Sequence, residues 1–530
     1  HSGGGTINIA AGSLKMLNGA TLRADGDQVD IDTVGDAQVT GIVSGSGAAD
    51  AVSINAGGSV QAATNDPRTD ITAIASGAGV KIVAALGIGD KTVDNITADG
   101  DLANGGNAVT DVANPLRIKT NELDMEAQDG NIEIAALTSI TASQFTSPNG
   151  AITVTGAGSL SISNATSGGS QSFISEGDLD FTQLTTTGIT GDVGDVTAKS
   201  NAGSLTGGDI AANGSIFLSG LGVNINVATA GVDSTIISTG IGNDVEFVTV
   251  EAGNDSTITS DDDIIGDTQI AGNTVKDTAG NSGEPGGDID IKTIRARYME
   301  LAASGKMTLP DLEVAEVLNL QAGEIIAGIT QVPSGPDPLE LTLTGFRGDV
   351  GIKADVTVDA PAGLVLPELR FIDTTLQTTA QQVNIQSAFV PGSLLLTTPV
   401  QTIFDNNRTP APTGGSNVQL FEPTFAFSLA VDGNATSTST YVVKYDATAA
   451  VTDVLGGLGF KGISLVRDTV RHLPDADDPI PAAFLTGPLG EQLEEEEQNL
   501  PDLGNVVLVI DGVEYKIVTT TSGPAVELRP

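Results

Sequence analysis

Residues 130–150 read "GNIEIAALTSITASQFTSPNG". Ile132, Ile134 and Ala136 fall on alternate positions, as on one face of a β-strand, and the apolar pattern restarts at Leu137 and Ile140 after a bend. A glycine opens the segment and another, Gly150, opens the next one, "GAITV", 20 residues later. The same Gly-x-Ile/Val-x-apolar form recurs as "GTINI" at Gly5, "GSIFL" at Gly214 and "GDIDI" at Gly287. Gly150 to Gly214 spans 64 residues, about three such steps. That step is the coil spacing of a parallel β-solenoid, in which a coil buries its apolar side only by stacking on its neighbours.

Composition agrees. Gly is 66 of 530 residues, Cys and Trp are absent and aromatics make up 3%, so small and β-branched side chains must fill the interior. Gly, Asn and Asp at the corners are expected to supply left-handed or tight-turn backbone. A β-sandwich is the alternative, but Asn-Gly and Asp-Gly hairpins are not the dominant connectors. The hydrophobic fraction of 39% marks a folded chain despite a net charge of -44. Such a charge repels nucleic acid and anionic lipid, and favours divalent cations and basic partners. No run of about 18 apolar residues offers a transmembrane segment. The absence of cysteine fits bacterial secreted surface proteins.

The stretches "GTINIAAGSLKMLNGATLRADG" from Gly5 and "NPLRIKTNELDMEAQDGNIEI" from Asn114 resemble the repeats of filamentous-haemagglutinin-like bacterial surface proteins. The resemblance covers about the first 300 residues and implies a right-handed parallel β-helix, an extracellular location and an adhesive role. That family's amino-terminal secretion domain, with its Asn-Pro-Asn signature, is not recognisable here.

The chain changes character near residue 400. Of 22 prolines only Pro67, Pro115 and Pro148 precede residue 280, and half of the Phe and Tyr residues follow residue 400. The expected organisation is a solenoid over 1–400, a linker over 401–417 containing "DNNRTPAPTGGSN", and a smaller β-rich carboxy-terminal module over 418–530. Within that module "GPLGEQLEEEEQNL" suits a short helix with a solvated acidic face, and "NVVLVIDGVEYKIVTTT" predicts a hairpin about Asp511-Gly512.

The chemistry of this chain is limited by its side chains. Its only histidines are His1 and His472, and with no cysteine a Ser-His or Cys-His nucleophile and a zinc site are close to excluded. His472 reads as a surface loop residue. Carboxylates remain. In "SDDDIIGD" a strand would put Asp261 and Asp263 on one face, the arrangement of an acid and base across a glycosidic bond, yet the platforms on which sugars stack are scarce. Asp261, Asp262 and Asp263, together with Asp475, Asp477 and Asp478 in "DADD", are the calcium candidates, and "DGDQVDID" at Asp25–Asp32 is similarly rich in oxygen. None matches an EF-hand or a calcium-binding nonapeptide repeat.

The opening rung suggests assembly. With no initiator Met or leader ahead of it, the chain reads as processed or excised. A coil that begins at Gly5, Thr6, Ile7, Asn8 and Ile9 is expected to expose its edge to a missing coil or to a second copy stacked head to tail. The terminal hairpin, with Val507, Val509, Val513, Tyr515 and Ile517, is the expected strand donor. About 20 coils at about 4.8 Å each would make a rod on the order of 100 Å. The expected function is a secreted, non-enzymatic structural or adhesive protein of the bacterial surface or matrix, its partners being further copies of itself and either surface polysaccharide or a host or neighbouring cell surface. Competing readings are a polysaccharide-active β-helix enzyme and a calcium-ordered surface-layer component.

Overall fold

In the computed structural model of the chain, the described residues are 4–17, 19–62, 70–73, 78–89, 115–280, 286–332 and 337–380. Beyond these, segments 382–385, 388–389, 393–397, 401–404, 425–430, 438–443, 507–510, 513–520 and 523–528 are described by backbone, with side-chain burial only at Val383 and Ile385. The fold is an all-β parallel solenoid. Two compact units divide it, His1–Asp267 and Thr268–Pro530.

In the first unit one stack of parallel strands begins at Ile7–Ala11 and passes through Val29–Thr33, Val52–Ala56, Gly79–Ala84, Glu122–Ala127 and Ile140–Ser147. It continues through Leu160–Ser167, Leu179–Thr186, Leu205–Ala212 and Val223–Ala230 to Val245–Ala252. A second stack carries Thr21–Ala24, Gly41–Ser44, Asp70–Ala73, Leu116–Lys119 and Ile132–Ala136. Above them lie Ile152–Gly156, Gln171–Ser175, Val196–Ser200, Ile216–Gly220, Ser234–Ser238 and Ser256–Ser260. A short third stack joins Leu14–Lys15, Ala37–Val39 and Val60–Ala62. Successive rungs sit about 4.8 Å apart, so the first stack extends on the order of 50 Å.

The aligned residues Ile140, Leu160, Leu179, Leu205, Val223 and Val245 give coils of 20, 19, 26, 18 and 22 residues. All six side chains are buried in one aliphatic ladder. From Ile140 onward the first-stack strands bury their first, third, sixth and eighth residues. The two adjacent outward residues in the middle, such as Ser143 and Gln144 or Thr182 and Gln183, mark where the strand bends around the coil. Leu137 therefore does not open the second apolar run: it is half-buried at a corner, and Ile140 is the first inward residue.

Turn glycines such as Gly26, Gly89, Gly242 and Gly280 supply the expected left-handed backbone, but the glycines that open the repeated segments serve a different purpose. Gly130, Gly150 and Gly214 do not have positive φ, and among described non-glycine residues only Arg347 does. Their requirement is closeness: a Cβ on Gly150 would lie 2.3 Å from the Gly130 carbonyl oxygen, and one on Gly214 would lie 2.1 Å from Asp195 Oδ1. Inside the ladder, Phe181 stacks on Gly207, and a Cβ there would approach the ring to 2.2 Å. Gly266 yields its space to Phe247 in the same way. A wide side chain fits this narrow coil where an adjacent rung has none.

The second unit repeats the parallel pattern with longer strands. Thr274–Ala279 pairs with Ile289–Ala303, which pairs with Lys306–Gln321. That strand pairs with Glu324–Gln331 and Leu339–Thr344, and Gly351–Asp359 and Leu369–Thr378 follow. Pro310 is accommodated at the register shift between Leu309 and Leu312. Parallel pairing reaches Ser393–Thr397, Gln401–Phe404 and Phe425–Ala430. On Phe425–Ala430 the strand Thr438–Val443 lies antiparallel. Val507–Ile510 pairs antiparallel with Val513–Thr520, and Gly523–Leu528 adds a third strand. Residues 405–417 and the predicted helix lie outside the described residues.

Candidate functional site

The residue immediately before each strand occupies a coil corner, and there the acidic and hydroxyl side chains have a shared task. Before the second-stack strands, Asn131 Oδ1 accepts the Ala151 N–H at 2.9 Å, and Ser170 Oγ accepts the Asp195 N–H at 3.0 Å. Asp195 Oδ1 accepts the Ser215 N–H at 2.7 Å, Ser215 Oγ the Asp233 N–H at 3.4 Å, and Asp233 Oδ1 the Asp255 N–H at 3.2 Å. Before the first-stack strands, Ser139 Oγ accepts from Ser159, Ser159 Oγ from Asp178, and Asp178 Oδ1 from Ser204, at 3.0, 3.2 and 3.0 Å. Each side chain thus satisfies a backbone donor on the following coil, where the chain turns out of the strand ladder.

Buried serines complete the corners from inside. Ser147 Oγ donates to Gly130 O, Ser175 Oγ to Gly158 O and Ser200 Oγ to Gly177 O, each at 2.7 Å. Period-two reading of the sequence misses both networks, although the recurring Gly-Ser, Gly-Asp and Gly-Asn pairs carry their signal. At Asn131, Ser159, Ser170, Asp178, Asp195 and Ser215 a bare glycine brings the corners close and the next residue holds the acceptor, whereas Asp233 follows Val232 and Ser139 follows Thr138.

The predicted calcium residues separate. Asp261, Asp262 and Asp263 lie at a corner rather than in a strand, so the shared strand face expected of Asp261 and Asp263 is absent. Asp262 and Asp263 instead meet Asp244 of the preceding coil, one carboxylate oxygen from each within 4.8 Å of the others. Asp244 Oδ1 accepts the Asp263 N–H at 3.3 Å, which makes these two residues consecutive rungs of the corner ladder. Three carboxylates are the right donor type for calcium, and the one oxygen that each brings to the cluster makes three of the six to eight it takes. Asp475, Asp477, Asp478 and His472 lie outside the described residues.

At Asp25–Asp32 the acids face outward around Asp30. Burial, followed by repulsion from Asp50, Asp32 and Asp27, raises the Asp30 carboxyl above the ordinary carboxylate value. The second unit has the opposite electrostatic pattern, with cations paired to acids on the next coil. Arg295 Nε lies 2.5 Å from Glu313 Oε2, and Arg297 Nε lies 2.6 Å from Glu316 Oε1. Tyr298 donates to Glu316 Oε2 at 2.7 Å. Hydrogen bonds from Arg295 hold Glu313 below its ordinary value, and those from Tyr298 and Arg297 do the same for Glu316.

The proposed assembly residues divide: Gly5–Ile9 lie at an edge, whereas Val513, Tyr515 and Ile517, expected in a donated strand, lie on the central strand of the terminal sheet, which is paired on both sides. Ile7–Ala11 pairs on one side with Val29–Thr33, and among the described residues no strand pairs with its other side. Ile7 and Ile9 are half-buried, whereas Val29 and Ile31 directly above them are fully buried. Thr6 and Asn8 are exposed and Gly5 is half-buried. In the terminal sheet Val507 stands opposite Lys516, Val509 opposite Glu514, Val513 opposite Ile510, Tyr515 opposite Leu508, and Ile517 opposite Val526.

No helix among the described residues is long and apolar enough to cross a membrane. Comparison with protein-family models, curated proteins and solved structures finds no match to this chain.

Proposed function

We propose that this protein is a non-enzymatic structural or adhesive element, secreted to the bacterial cell surface or extracellular matrix. The observation that carries the reading is the double fastening of coil to coil, by in-register strands and by side chains at the corners between them. Such a body resists axial extension and bending, which suits a spacer or fibre more than a site that must open and close. The resemblance of its first 300 or so residues to haemagglutinin-type repeats supports the same location and role.

The half-buried edge at Ile7–Ala11 supports a second step, stacking of copies into a filament. Electron microscopy across a concentration series, with and without chelator, tests both steps. Straight particles of constant width that lengthen with concentration are expected. Irregular collapsed particles would overturn the structural reading, and particles of fixed length would overturn stacking. Release of reducing ends or unsaturated sugars from surface polysaccharides would instead establish an enzyme.

A further inference from the structure

The coil between Leu179 and Leu205 is the longest of the aligned series because it carries an excursion after Thr186. The excursion lies beside a break in a corner ladder. Asn131 serves Ala151, but Ala151 has no side-chain acceptor for the next donor, the Ser170 N–H. That donor is taken by Asp192, which reaches back from the excursion: Asp192 Oδ2 accepts the Ser170 N–H at 2.9 Å. Asp192 Oδ1 accepts the Ser170 hydroxyl at 2.5 Å and the Gly194 N–H at 2.9 Å. Ser170 Oγ then accepts the Asp195 N–H, and the ladder resumes.

The excursion is shaped for this reach. Ile189 and Asp192 exchange backbone hydrogen bonds at 2.8 and 3.0 Å, closing a tight loop. Gly188, Gly191 and Gly194 have φ of 75°, 91° and 79°, which side-chain-bearing residues rarely adopt. Thr186 Oγ1 donates to the Gly194 carbonyl and ties the exit of the loop to its entry. Ile189 lies over Gly168, where a Cβ would come within 2.7 Å of its Cγ2.

We propose that residues 187–195 form a strap whose latch at the Ser170 corner is Asp192, which substitutes for the acceptor missing at Ala151 and whose release opens this corner while the flanking coils, and the strap's other ties at Thr187 N–Ser167 O, Asn213 Nδ2–Val193 O and Gly214 N–Gly194 O, stay closed. The strap joins its neighbours through a few polar contacts, whereas the strands on either side are held by full ladders. Local opening follows the weaker fastening. Burial alone would raise the Asp192 carboxyl, but the Ser170 hydroxyl and the Ser170 and Gly194 N–H groups outweigh it and hold the group below its ordinary value. The carboxylate is therefore fastened in place as an anion.

Residue-resolved amide exchange on D192A, and on D192A combined with A151N, tests the strap. In D192A the Ser170 and Gly194 amides are expected to exchange about tenfold or more faster, with amides of Ile216–Gly220 and Val223–Ala230 unchanged. Adding A151N supplies the acceptor that Asn131 supplies one coil earlier, and should restore protection at Ser170 but not at Gly194. A151S provides the same test with the smaller Ser139-type acceptor. Unchanged exchange at Ser170 in D192A would overturn the latch. Failure of both Ala151 replacements to restore Ser170 in a protein with wild-type circular dichroism would overturn the missing-rung account. Equal acceleration across the flanking strands would show that no separable strap exists.

Discussion

Gly207 is a core position filled by another residue's side chain. Its partner in register is Phe181, whose ring stands where a Cβ would be. G207A is therefore expected to destabilise the protein by about 1–3 kcal/mol through overpacking, measured by urea titration of the first unit's signal. F181L should relieve the clash, so the double variant should recover part of the loss; additive losses would place the strain elsewhere. Asp30 makes a second prediction, with sign set by its surroundings. Burial and three neighbouring acids raise its folded pKa, so its ionised form opposes folding at neutral pH. That penalty is full above the folded pKa and disappears as pH falls below the unfolded value, where the group is protonated in both states. D30N is expected to raise Tm at pH 7 and to lose its advantage below about pH 4. A Tm gain that persisted or grew in acid would contradict this assignment.

At the level of strands, the edge and the interior should respond differently to the same truncation. Ile31 is 1% exposed and sandwiched between rungs, whereas Ile9 is half-buried with a described rung on one side. I31A is expected to cost about 2–5 kcal/mol and I9A less than half as much, read from thermal unfolding. Equal costs would mean that something covers the first strand in solution. The same contrast shows what the sequence makes legible. A strand face advertises itself, because Ile132, Ile134 and Ala136 must alternate to fill the interior, and the 20-residue return of the pattern then implies stacking. Corners do not advertise themselves. Asp195 and Asp233 look like solvated turn residues or metal ligands until the preceding or following coil is brought to within hydrogen-bond distance. Asp244 was invisible as a neighbour of Asp262 and Asp263 because their proximity depends on the coil length. Leu137 fits an apolar run in the sequence yet sits at a corner for a related reason: hydrophobicity alone does not locate the residue at which a strand bends.

Across the whole molecule, charge controls what an exposed edge can do. With 67 acidic and 23 basic residues, any two copies repel one another, and the exposed ion pairs of the second unit do not alter that balance. The attraction available at Ile7–Ala11 is short-ranged, arising from the strand side on which no described strand pairs and from half-buried isoleucines. Repulsion acts over about 30 Å at 10 mM salt but only about 8 Å at physiological ionic strength. Stacking should therefore be weak at 10 mM NaCl and appear near 150 mM, with light scattering and microscopy as readouts. I9K should suppress it at both salt concentrations by placing a charge in the aliphatic ladder. Assembly strongest at low salt would indicate pairing between opposite charges and would reject the apolar edge as its cause. Calcium chloride at matched ionic strength extends the test. If divalent ions act only as counterions spread over the acidic surface, D262N will leave the calcium response essentially unchanged. If the cluster of Asp244, Asp262 and Asp263 holds the ion, D262N will remove the calcium increment while retaining the response to NaCl, separating a bound ion from general screening.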